Sequence, residues 1–421
     1  MSHKSKSKSK SVLVIGFNTR PLALSLFKAD YEVYAVDFFG DLDLYPYVKD
    51  AIIITEELNT NYDSIKELYH HYLVEFGIKI SNKYPKIDYL IIGSGLDDAF
   101  KDRDILLQEI RKKNKHILSL NNELEVVMQA RNIKRIYEIL VENGYNVPET
   151  KYPTSMDDIK NYECFPFIIK KFRSSGGMNI HKIENRDTLE FTLKLIESKM
   201  VNISDWLTQE YIEGIPVSCT IISDGIHCKV ISVNLQIIGE KYLNAPRDFM
   251  YCGNVVPAQI GNNIKDLIAN ISLMLSKKLK LRGINGFDFV VRNQYPYLME
   301  INPRIPGSIS ASELAYNINL LDLHVKSFNS ENWEEIESCL CKNKLAQFAT
   351  KLIVFAPNEL TKPEIIKINN LEYIHDKSHP DNPIQKFDPV CTILFGARDF
   401  SASYFGAVSY THLTLPTILL V

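Results

Sequence analysis

Glu300 and Asn302 stand two residues apart in the run YLMEINPRIPGS, Tyr297 to Ser308. On an extended strand both side chains emerge on one face, while Ile301 points into the core. A carboxylate beside an amide oxygen is a hard ligand pair, suited to Mg²⁺ rather than to a soft metal. Far upstream, Lys170 ends the apolar run of FPFIIKKFRSSGG and precedes a loop containing Ser174, Ser175, Gly176 and Gly177. Such a loop can bring backbone N–H groups against phosphate oxygens. A cation, a phosphate loop and a metal pair are the minimum set for stabilising charge on a transferring phosphoryl group. Each part has a plainer reading. Lys170 and Lys171 fit a solvated strand end, and Gly176–Gly177 fits an ordinary turn. Asp288, between Phe287 and Phe289, and Glu300, after Tyr297-Leu298-Met299, resist that reading. A carboxylate in an apolar strand is costly to bury unless it faces a cleft or a partner.

Elements must bring these segments together. Residues 12–15 read as a buried strand ending at Gly16, followed by a helix with Leu22, Leu24, Leu26 and Phe27 as core candidates. EVYAVDF, from Glu32, and YLIIGSG, from Tyr89 to Gly95, read as further strands. Strands alternating with helices predict a parallel α/β sheet. GFNTR is not GxGxxG, so a dinucleotide site has little support, and Asp37 is a weak candidate for a ribose carboxylate. Asn18, Thr19, Arg20, Ser94 and Asp97 fall at strand ends, where α/β sheets place ligand groups, and are candidates for acceptor contacts. Asn121 to Asn143 reads as one helix stopped by Gly144, with Arg131 and Lys134 on one face.

The ordered segments resemble the ATP-grasp superfamily. LTQEYIEG, Leu207 to Gly214, looks like the hinge that holds adenine; GFDFVV, Gly286 to Val291, looks like the strand of the first metal carboxylate; EINPR completes the order. The resemblance implies an ATP-grasp fold, α/β with α+β lobes. A parallel α/β pre-ATP-grasp domain would span 11–118. The ATP-grasp domain would span 119–330, with a small lobe at about 150–212 and a large lobe at about 213–330. A small β-rich unit would follow at 331–407. It also implies ATP and Mg²⁺, with Mn²⁺ as a substitute. Asp288, Glu300 and Asn302 would hold the metal, and Lys170 would neutralise phosphate. Ser174, Ser175, Gly176 and Gly177 would form the phosphate loop. Glu210, Tyr211, Ile212 and Glu213 would contact the nucleotide, and Arg304 would steady an acyl phosphate. A basic residue of the 121–143 helix, Arg131 or Lys134, would reach the phosphates, though a solvated basic face fits as well. Pro216 stands near the place where the family often has a ribose-binding glutamate; Glu213 is the neighbouring substitute.

The activity implied is ATP-dependent ligation of a small carboxylate to an amine or thiol, like that of a group of archaeal-type carboligases. A kinase, a carboxylase or a non-catalytic nucleotide binder would share the ATP residues. Arg247 and Asp248, before YCGNVVPAQ, are either substrate contacts or a surface pair. Ser308, Ser310 and Ser312 are either an anion-binding helix start or ordinary caps.

Composition narrows the remaining classes. The chain has 421 residues, 45% hydrophobic and 24% charged, with a net charge of -3. No global field recruits nucleic acid or an anionic membrane, and no run approaches a transmembrane length. Seven cysteines, none in CxxC and without a histidine cluster, argue against a zinc site and fit a reducing cytoplasm. Small-molecule partners and a homodimer are the assemblies the resemblance allows. The tail SHKSKSKSK reads as a polar segment without structure, so 1–10 is set apart. VSYTHLTLPT, Val408 to Thr417, resembles a translated sequencing adapter, so 408–421 is set aside and given no function.

Overall fold

A computed structural model describes residues 9–60, 62–173, 177–198 and 202–414. Strands β1 (Ser11–Gly16), β2 (Glu32–Asp37), β3 (Asp50–Ile53), β4 (Tyr89–Ile92) and β5 (Leu118–Ser119) form the first sheet. Their order is β3-β2-β1-β4-β5 and every pairing is parallel. Continuous apolar strands such as Val12–Ile15, with no exposure, are what a sheet covered on both faces requires. The C-terminal ends of these strands carry the Phe17–Arg20, Phe38–Asp43 and Gly93–Asp98 loops towards the rest of the chain.

Strands β6 (Thr150–Lys151), β7 (Phe167–Lys171), β8 (Ile180–Ile183) and β9 (Trp206–Glu210) form a small antiparallel sheet, order β6-β9-β7-β8. Ile159, Phe167, Ile169, Leu193 and Trp206 give this lobe a core of its own. Strands β10 (Ile215–Asp224), β11 (Cys228–Ile238), β12 (Tyr251–Val256), β13 (Arg282–Arg292), β14 (Tyr295–Asn302), β15 (Phe348–Phe355), β16 (Ile374–His375) and β17 (Pro389–Ala397) form the third sheet. Its eight strands run β14-β13-β10-β11-β12-β15-β17-β16, all antiparallel. The C-terminal strands β15, β16 and β17 therefore extend the large lobe's sheet. The helix Phe400–Thr414 packs against them and runs through position 408 without a break.

Three expectations change. The single helix at 121–143 is two, Leu124–Ala130 and Ile133–Glu142. Asn132 leaves helical geometry, and its side chain caps the second helix by accepting from the Arg135 N–H. Arg131, in the break, is freed to turn inward. Arg20 is not at a substrate surface. It is buried, with Nε 2.7 Å from Asp376 and 3.5 Å from Asp43, joining the first sheet's loops to the C-terminal strands. Asp37 is also structural: its carboxylate accepts from Thr19 N–H and O–H and from the N–H groups of Phe39 and Gly40. That spends it on the loops after β1 and β2, so neither Asp37 nor Thr19 remains for a ligand.

Removing one partner of a buried ion pair leaves the other charge uncompensated. Arg20→Met should cost about 3–5 kcal/mol in urea unfolding. ATP binding by the folded fraction should be unchanged.

Candidate functional site

The site lies where the three sheets meet. Asp288 on β13 pairs in register with Glu300 on β14, and Gly286 pairs with Asn302. Residues opposite one another in an antiparallel ladder share a face, so the carboxylates stand side by side. The register slips after Asp288: Phe289 pairs with Leu298, leaving Met299 as a bulge. The bulge settles a parity conflict. Leu298 and Ile301, three apart, are both 1% exposed, which strict alternation forbids. With Met299 set out of step, both enter the core while Glu300 and Asn302 keep the cleft face. Phe287 and Phe289 anchor the other face of β13.

Asn302 Nδ2 donates to Asp288 Oδ2 at 2.7 Å, and Gln236 Nε2 donates to Oδ1 at 2.9 Å. Burial, then the facing Glu300 charge, push the Asp288 carboxyl up to about 7. A divalent cation at this point would relieve that repulsion. The two carboxylates with the Asn302 amide oxygen are a donor set that fits Mg²⁺ or Mn²⁺.

Three cations surround the pair. Arg131 Nη1 bonds Glu300, while Nε and Nη2 hold both oxygens of Asp98 at 2.9 and 2.7 Å. Arg304 Nε donates to Asp97 at 2.7 Å. Both acids come from the loop after β4, so the first domain orients both arginines. Lys170, at the end of β7, reaches the cleft from the small lobe. Burial pushes its ammonium down to about 8; the Glu300 charge opposes this and Arg131 adds to it. Among the described residues no carboxylate lies within ion-pair distance of Lys170, which leaves a cation for an incoming anion.

Of the loop expected to meet phosphate, Ser174, Ser175 and Gly176 lie outside the described residues. Gly177 has φ +74°, and a Cβ there would stand 1.8 Å from the Phe249 carbonyl oxygen. Its lack of a side chain lets the loop meet the large lobe. Arg247 and Asp248 beside that contact are exposed, with no ion pair between them among the described residues.

The hinge connects β9 to β10. Glu210 is an ion-pair partner of Arg292, 2.7 Å away, and also accepts from the Glu149 N–H. Tyr211 lies under the Lys182 ammonium, Ile212 is buried and Glu213 is exposed. Ser308 and Ser312 bond Thr220 and Ser232 across the helix–sheet seam, and Ser308 makes no side-chain cap. Their expected anion or capping roles give way to packing. Ser310 Oγ is buried without a partner.

Gln236 and Asp98 were not anticipated, and Arg131 stood between two readings. A signal existed for the first. Ser218 and Thr220 on β10, and Asn234 and Gln236 on β11, alternate with apolar residues at period two. Ser218 pairs in register with both Asp288 and Asn234, so one polar rung crosses from Glu300 to Asn234.

Gly177→Ala should raise the Kd for ATP at least about tenfold, because the ~1–2 kcal/mol an L-residue spends in left-handed backbone adds to the overlap with the Phe249 carbonyl oxygen. Equilibrium dialysis with ATP checks this. The depressed Lys170 means the folded chain releases that proton as pH passes about 8. Its stability contribution is therefore present at high pH and lost as pH falls through that value, whereas anion binding needs the proton. ATP affinity should fall above pH 8 by up to about tenfold per unit. Lys170→Arg should abolish the inflection, and Lys170→Met should weaken ATP binding at every pH.

A family model described as the ATP-grasp domain matches residues 131–308. An uncharacterized protein of Methanocaldococcus jannaschii is 27% identical over 389 residues, spanning 91% of this chain and 87% of that one. Among solved structures, a biotin carboxylase in complex with β,γ-ATP from Campylobacter jejuni superposes with a TM-score of 0.68 at 14% identity, covering 94% of this chain and 89% of that one. An L-amino acid ligase from Bacillus licheniformis gives 0.66 at 13%, covering 96% and 98%. At these identities the two structures establish the fold alone. The matched segment begins at Arg131 and ends at Ser308, enclosing Lys170, the hinge, Asp288 and the Glu300–Arg304 run. Residues 131–308 are thus the part of the chain that the ATP-grasp domain model matches, and the fold around them is the one these solved structures share.

Proposed function

We propose that this chain is an ATP-dependent ligase that joins a small carboxylate to an amine, or to a thiol, through an acyl phosphate. The observation that carries this reading is the opposed pair Asp288–Glu300, with Asn302 on the same face and Lys170, Arg131 and Arg304 around it. No Ser–His–Asp nucleophile is needed, because phosphoryl transfer asks mainly for positioning and charge stabilisation. Mg²⁺ held by Asp288, Glu300 and Asn302 would neutralise phosphate charge.

The chain's own groups do the rest. Lys170 binds phosphate oxygens from the small lobe. Arg131 meets the phosphates from the opposite side, exchanging its hold on Glu300 for them. A substrate carboxylate oxygen attacks the γ-phosphorus of ATP, ADP leaves, and a mixed anhydride forms. Arg304, fixed by Asp97, steadies that anhydride. The amine nitrogen then adds to the carbonyl carbon, the C–O bond to phosphate breaks, and the nitrogen loses a proton as the amide forms. The small lobe, with its separate core, closes over the cleft and excludes water from the anhydride.

Hydroxylamine replaces the amine in the test. With MgATP and a panel of small acids, the reading predicts ADP and a hydroxamate in equal amounts for the true acid. Glu300→Gln should lower both by at least about a hundredfold. ADP release with no hydroxamate from any acid would refute carboxylate activation.

A further inference from the structure

Beside the catalytic cleft lies a cavity of about 530 Å³, walled by Tyr69, His70, Asp97, Asp98, Phe100 and Asp102. Its size is that of a small-molecule site. Three carboxylates within six positions line it, and their partners differ. Asp98 is fully occupied by Arg131. Asp102 Oδ1 meets His71 Nδ1 at 2.5 Å. Asp97 is 6% exposed; its Oδ1 accepts from Arg304, while its Oδ2 is buried with no hydrogen-bond partner. A buried carboxylate oxygen without a donor is a costly arrangement that an incoming N–H group would relieve.

The aromatic wall accepts positive charge as well. The Arg173 guanidinium already lies over the Phe100 ring at 4.8 Å. Lys101, His70 and Arg173 are the basic groups at the wall, and of the three acids only Asp97 keeps a buried oxygen without a donor. Asp97 and Asp98 also bond Arg304 and Arg131 directly, so the cavity shares a wall with the reaction centre.

We propose that this cavity binds the ammonium group of the amine substrate, with Asp97 Oδ2 as its hydrogen-bond acceptor and Asp102 and Phe100 flanking it. The assignment of this cation as a substrate rests on the ligase reading; its binding does not. Arg304 and Arg131 keep Asp97 ionised in spite of burial, holding its carboxyl below the usual range. An amine held at Asp97 is one hydrogen-bonded residue away from the arginine that steadies the acyl phosphate.

The test uses the full chain without nucleotide and reads saturation-transfer NMR. The probes are ethylamine and 1,4-diaminobutane, each beside the matching alcohol or diol. The amines should bind and the alcohols should not. Asp97→Asn and Asp102→Asn should each weaken amine binding at least about tenfold. Asp102→Asn should leave ATP affinity as it was, since Asp102 contacts none of the groups assigned to ATP. Should Asp97→Asn fail to fold, Asp102→Asn decides alone. Equal binding of amines and alcohols, or amine binding unchanged in the folded variants, would overturn the proposal. Because no ATP is present, a negative result here leaves hydroxamate formation untouched, and absence of hydroxamate leaves this result untouched.

Discussion

The site depends on two carboxylates that the sheet forces to face one another. Asp288 and Glu300 sit opposite on adjacent strands, anchored by Phe287, Phe289, Leu298 and Ile301 behind them. Like charges in that position destabilise a sheet, and burial of Asp288 sharpens the conflict. The fold tolerates it by surrounding the pair with donors: Asn302 and Gln236 on Asp288, Arg131 on Glu300. The Met299 bulge lets a buried hydrophobic core and an acidic cleft coexist on one strand. A core-forming sequence with ordinary alternation would have turned either Leu298 or Glu300 to the wrong side.

The first domain takes part in this arrangement without binding nucleotide through a glycine fingerprint. Its β4 loop supplies Asp97 and Asp98, which fix Arg304 and Arg131. Arginine is suited to the task because its planar fork can hold a carboxylate on one edge and meet phosphate on another. Lys170 differs from both. It comes from a lobe with a core of its own rather than from a side chain held by the first domain.

Much of this was legible in the sequence. The E-x-N spacing, the aspartate between two phenylalanines and the lysine before a glycine pair all carry local signals that survive without neighbours. The parallel sheet was visible in its continuous apolar strands. Other features depend on contacts distant in the chain. Arg20 looked like a ligand group at a strand end, but its partner Asp376 is supplied by the C-terminal region, and nothing local announces that. Asp37 resembled a ribose ligand until four donors from nearby loops were found to use it. Arg131 sat in what read as one helix; its role came from the break at Asn132, which propensity marks weakly. Gln236 belonged to a polar alternation on β10 and β11 that was readable, yet its meaning came from the register that sets that face against Asp288.

The most direct test is Mn²⁺ binding, followed by electron paramagnetic resonance in the presence of a non-hydrolysable ATP analogue. The opposed-carboxylate account predicts one Mn²⁺ in the ternary complex. Asp288→Asn and Glu300→Gln should each weaken it by at least about a hundredfold, while analogue binding without metal is retained. Mn²⁺ binding unchanged in both variants would contradict the account and place the metal, and with it the phosphoryl-transfer centre, elsewhere.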